Sequence, residues 1–138
     1  MCRRTAAPVV ICLAIGLTAC GRAGNTGVRA GIEQLASISA EGSLMADDVA
    51  RERTKTTFVR VHGAELSAQA EHEAEKLNDD PVEPRLKRPI HTAIELSADI
   101  GGAIDDLRMS PQDREQAFES ERKLRHWAGE ARKLAEEL

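Results

Sequence analysis

Tyrosine is absent from this chain and aromatic residues make up 2% of it, so its core has to be closed with small and aliphatic side chains. Cysteine is confined to Cys2, Cys12 and Cys20, which excludes disulfides and thiol chemistry from everything that follows. Strand-like alternation of apolar and polar residues is also missing, which argues against a sheet. The apolar run from Pro8 to Leu17 falls short of the roughly 20 residues a membrane-spanning helix needs. Nor is there a glycine-rich phosphate loop, a serine in a nucleophile-elbow context or a repeated His/Cys ligand spacing. These absences point away from an enzyme and toward an all-α domain.

What is present begins at the N-terminus. Arg3 and Arg4 precede the Pro8–Leu17 run, which closes on Leu17-Thr18-Ala19-Cys20 followed by Gly21. A basic start, a short apolar middle and small residues before a cut describe a secretory signal peptide. Leu17-Thr18-Ala19-Cys20 resembles the lipobox of bacterial lipoproteins. That resemblance covers only the leader and Cys20. It implies removal of residues 1–19, a diacylglyceryl group on the Cys20 thiol and often a further acyl chain on its amine. Two or three chains meet the physical requirement for firm anchoring, which one chain does not. The implied location is the cell membrane or outer membrane, on its extracytoplasmic side. Gly21 is not the aspartate of an inner-membrane retention signal, which favours the outer membrane in a cell that has two.

Without Arg3 and Arg4, 17 of the 19 basic residues face 23 acidic ones, a net charge of −6. Such a domain has no electrostatic affinity for nucleic acid or anionic headgroups. The expected organisation is a signal peptide over 1–19, the lipidated cysteine and a flexible tether over 20–27, and a helical domain over 28–138. A Gly-rich tether of this length spans roughly 15 Å, so the domain sits close to the bilayer.

Four stretches carry the 3-4 apolar spacing of one helix face. They are Leu35, Ile38, Gly42, Met45 and Val49; Val59, Gly63, Leu66, Ala70 and Leu77; Leu86, Ile90, Ala93, Ser97, Ile100, Ile104 and Leu107; and Ala117, Ser120, Leu124, Trp127, Ala131, Leu134 and Leu138. Ser110-Pro111-Gln112-Asp113 reads as an N-cap serine with proline at the first helical position. Pro81, Pro84 and Pro89 make a stiff connection, and the third helix is expected to become regular near Pro89. Between the first two stretches, Arg53–Thr57 offers neither glycine nor proline. A single long first helix, and hence three helices, is the alternative. A break near Thr54–Thr57 gives four segments of similar length and an antiparallel four-helix bundle.

The candidate site lies on the second helix, where His62, Glu65, Gln69, His72 and Glu73 form a polar ribbon beside the apolar stripe. His62, Glu65, His72 and Glu73 are the residues a metal or small ligand would use, since bundles build such sites from inward carboxylates and histidines. The ribbon departs from the ferritin-like pattern, because His62-x-x-Glu65 reverses Glu-x-x-His and has no second copy. His91 with Glu95, and His126, are expected on the surface. Gly101-Gly102 is read as a tight helix–helix contact like those available at Gly42 and Gly63, and Trp127 as core. Arg85, Lys87 and Arg88 are a solvated basic cluster. The resulting expectation is a lipid-anchored envelope protein that meets a protein partner or plays a structural part, with no cofactor. The rival is a small-ligand or metal-binding lipoprotein using the bundle interior. A homo-oligomer joined through the seam of the last helix is a third.

Overall fold

The computed structural model describes residues 24–79 and 82–138, so the expected leader, Cys20 and the first residues of the expected tether lie outside the described part. Four helices follow in order: α1 Asn25–Ala50, α2 Thr56–Asp79, α3 Lys87–Met109 and α4 Arg114–Glu136, with a 3-10 turn at Pro84–Leu86 leading into α3. They form a bundle in which α1 packs most closely on α4, and α2 on α3. The pairs are antiparallel. Asn25, at the start of α1, donates to the Leu138 carbonyl beyond α4, while Arg114, at the start of α4, reaches the Ala50 carbonyl at 3.1 Å. The Ser97 hydroxyl of α3 donates to the Ala70 carbonyl of α2 at 2.7 Å. The expected all-α four-helix architecture is therefore the observed one.

The seams read from periodicity line one core. Val59, Gly63, Leu66, Ala70 and Leu77 are the buried residues of α2, and Ile90 to Leu107 of the third seam are all buried. Helix α1, like α3, touches all three other helices. Its buried set also includes Ile32, Ala36, Ser39, Ser43, Ala46 and Ala50, a second face that the single seam does not contain. Gly42 lies at a close approach of α1 to its neighbours: a Cβ there would meet Ile104 at 3.1 Å and Leu124 at 3.3 Å. The Ser39 hydroxyl donates to the Leu124 carbonyl at 2.7 Å, so this buried polar group is satisfied across the same contact.

The break between α1 and α2 has a definite chemistry that composition conceals. Glu52 takes φ 56°, the left-handed conformation usually left to glycine. The Glu52 amide donates to the Val49 carbonyl and the Arg53 amide to the Asp48 carbonyl. That is the double-bonded C-terminal cap of the Schellman type. Arg114 adds a cation at the same helix end, where the carbonyl dipoles favour one. The break thus covers residues 51–55, slightly earlier than the expected Thr54–Thr57.

Other boundaries also move. Helix α1 starts at Asn25 with Gly24 before it, so the last three residues assigned to the tether form its first turn. Helix α3 starts at Lys87 and accommodates Pro89 in its first turn, where an amide has no intrahelical partner to lose. Ser110 ends α3 and opens a turn closed by the Asp113 amide on the Ser110 carbonyl at 3.0 Å, with Pro111 at its second position. The cap of α4 is Asp113, whose carboxylate accepts from the Gln116 amide at 3.0 Å. Ser110 is therefore not the N-cap, because Pro111 and Gln112 belong to the turn.

Two packing expectations are corrected. A Cβ on Gly102 would meet nothing within 4 Å and one on Gly101 only Ser67 at 3.7 Å, so Gly101-Gly102 is no tight contact, unlike Gly42 and Gly63. Trp127 is half-buried, packed against the edge of the core with Leu134 and Leu138. The α4 seam residues Ala117, Ser120, Leu124 and Ala131 are buried inside the chain.

Candidate functional site

The antiparallel pairing of α1 and α2 brings Glu41 onto the polar ribbon, a partner the sequence alone did not supply. His62 is half-buried between the helices. Its Nε2 lies 2.8 Å from Glu41 Oε1 and its Nδ1 3.5 Å from Glu65 Oε2. Phe58, one turn earlier, stacks on the ring with centroids 5.0 Å apart. The two carboxylates thus meet opposite nitrogens of one imidazole. They bracket the ring and do not converge on a common point, so they fix its orientation without making a three-ligand cage.

The rest of the ribbon is elsewhere. His72 is exposed and stands 4.0 Å from Glu75, not beside Glu73. Glu73 is largely covered and held by Lys76, whose Nζ lies 2.9 Å from both carboxylate oxygens. It borders a shallow groove near the start of α1, together with Gly27, Gly31, Leu77 and Val82. The structure therefore brings His62 and Glu65 together and leaves His72 and Glu73 apart from them. Among the described residues no group of three His, Cys, Asp or Glu side chains is arranged to hold a metal ion. His91 pairs with Glu95 at 3.4 Å and His126 with Glu130 at 3.4 Å, both exposed as expected.

Charge at the far end of α1 is organised around Asp47, which receives Arg51 at 2.7 Å and Arg53 at 2.6 Å. The Arg51 hydrogen bond holds the Asp47 carboxyl below its usual 3.8, and Asp47 in turn raises the Arg51 guanidinium. On α4, the Lys123 hydrogen bond lowers Glu119 in the same way. Glu121 is the one buried acid of the described residues, and it pairs with Arg125.

The surface feature that periodicity did not reveal is apolar. Leu44, Phe58, Val61, Met109 and Phe118 are the large hydrophobics left exposed, from 47% to 71%. All lie at one end. Leu44 is six residues from the end of α1, Phe58 and Val61 are the third and sixth residues of α2, Met109 ends α3, and Phe118 is the fifth residue of α4. At 1.5 Å per residue they fall within about 9 Å of the helix ends remote from Gly24. Every helix contributes, so the result is a belt of exposed hydrophobics at one end of the bundle. The signal available in the sequence was Phe58 and Val61 on the wrong side of the Val59–Gly63–Leu66 seam.

The fold and its surface define an all-α bundle with a filled core, surface grooves and an apolar belt at one end. No helix among the described residues is long and apolar enough to cross a membrane. No protein-family model matches the chain, and comparison with curated proteins and with solved structures returns no match.

Proposed function

We propose that this chain is a lipid-anchored protein of the bacterial cell envelope, exposed on the extracytoplasmic side, with a non-enzymatic interaction or structural role. The observation that carries the reading is Leu17-Thr18-Ala19-Cys20 at the end of a short, basic-headed apolar leader. Its placement is consistent with the fold. Only three residues separate Cys20 from Gly24, and among the described residues the buried core runs from Val28 to Ala135. An acidic domain without attraction to anionic headgroups depends on the lipid to stay at a membrane.

The bundle interior is filled by aliphatic side chains, which leaves the outer faces as the working surface. The belt of Leu44, Phe58, Val61, Met109 and Phe118 is the part of that surface with a hydrophobic reason to be covered.

The test is intact-mass and fractionation analysis of the full chain expressed in a bacterial host. A mature N-terminus at Cys20 carrying diacylglyceryl mass, recovered in membranes, is the expected result, and Cys20→Ala should lose both. An unmodified Cys20, or cleavage elsewhere, refutes the anchor.

A further inference from the structure

We infer that the apolar face formed by Leu44, Phe58 and Val61 pairs with the same face of a second copy anchored in the same leaflet. The inference rests on the lipid-anchored reading above. The four residue-to-residue steps from Cys20 to Gly24 extend at most about 14 Å, so the Gly24 end of the bundle is held at the bilayer. Two copies in one leaflet then meet with their Gly24 ends at equal height, related by a two-fold axis along the membrane normal. Under that axis each residue meets residues of the other copy at its own height. The exposed hydrophobics at the end remote from Gly24 therefore face the exposed hydrophobics of the second copy.

The α1/α2 side is where the belt is densest. Glu41 bonds His62 across the two helices. Leu44 lies one turn from Glu41 along α1, and Phe58 one turn from His62 along α2. Because the helices are antiparallel, both steps lead toward the far end of the bundle, so the two exposed side chains sit at the same end of adjacent helices. Phe58 is held against the His62 ring, and Val61 lies one turn beside it on the outer face of α2. Three such side chains belong to the class of apolar patches of roughly 300–600 Å² found on monomers. A stable dimer in solution takes about 800 Å² per partner. The contact is thus too small to persist in dilute solution, and confinement of both copies to one surface raises their effective concentration enough to populate it. Glu65, one turn closer to the membrane and 64% exposed, meets its own counterpart beside the contact and opposes it.

The experiment uses the full chain, expressed with its leader, purified in detergent and reconstituted into phosphatidylcholine vesicles, with intact mass recorded first. Val61→Cys reports the proposed contact through a short bismaleimide crosslinker. Gly129→Cys is the control, exposed on α4 toward the Gly24 end with open space around it. The expected crosslinked fraction for Val61→Cys on vesicles is at least fivefold above the Gly129→Cys level, falling to that level in dilute detergent. Adding Phe58→Glu to Val61→Cys should abolish the excess, and adding Glu65→Gln should raise it about twofold, an increase that mere destabilisation would not produce. Acylated protein whose Val61→Cys and Gly129→Cys yields are equal overturns the pairing and leaves the anchor standing. That is also the outcome if the belt meets a different protein. Protein without lipid on Cys20 overturns both.

Discussion

Gly42→Ala and Gly102→Ala make the same chemical change in two helix interiors and should move stability in opposite directions. Each gains about 1 kcal/mol of helix propensity. At Gly102 the methyl meets nothing within 4 Å, so the whole gain survives and the bundle becomes about 1 kcal/mol more stable. At Gly42 the methyl meets Ile104 Cδ1 and Cγ1 at 3.1 Å and Leu124 Cδ1 at 3.3 Å. Both neighbours are fully buried, and Cγ1 is fixed by the first torsion of Ile104, so neither can swing away into solvent. Overpacking of this kind costs about 1–3 kcal/mol. The net expectation is a loss of about 1 kcal/mol, and a gap between the two variants of roughly 2 kcal/mol. Urea unfolding followed by the fluorescence of Trp127, the only tryptophan, measures both midpoints. A Gly42→Ala protein as stable as Gly102→Ala would refute the close approach of α1 to α3 and α4. A destabilised Gly102→Ala would show that this open glycine has a role the monomer does not explain.

Three further outcomes follow from particular contacts. Asp113→Ala should cost about 1 kcal/mol by removing the cap on the Gln116 amide, whereas Ser110→Ala should change stability by less than half of that, as urea midpoints would show. The Asp47 carboxyl is lowered from 3.8 by Arg51, so its contribution is present above pH 3.8 and is lost as pH falls through its folded value; Asp47→Asn should flatten the acid limb of a stability–pH curve below pH 3.8. Trp127→Ala should cost about 2 kcal/mol by calorimetry, less than a fully buried tryptophan, because the ring is only half covered at the core edge.

The histidine ribbon shows how a site can be half legible. His62 and Glu65 are one helical turn apart, and spacing alone makes them neighbours. Glu41 lies 21 residues away on another helix, and its 2.8 Å contact depends on how far α1 and α2 slide along each other. Nothing in either helix's own periodicity encodes that offset. The break at residues 51–55 was hard to place for a different reason. The left-handed residue that normally betrays a helix end through glycine is here Glu52, supported by Arg114 from a helix more than 60 residues further on.

The sequence by itself determined the helical class and the inward face of each helix, because the rotation of 100° per residue is a local property that apolar spacing records. Leu66 and Ala70 on α2, or Ile100 and Ile104 on α3, were committed to the core before any partner was known. The leader and Cys20 of the proposed anchor are likewise linear signals, read without any fold. Tertiary structure decided that α1 buries a second face, that Gly42 is crowded while Gly102 is open, and that five hydrophobics from four helices share one end. Those outcomes depend on axial offset and on which neighbour faces which. Both are fixed by side-chain packing across the core, where no single helix carries the information.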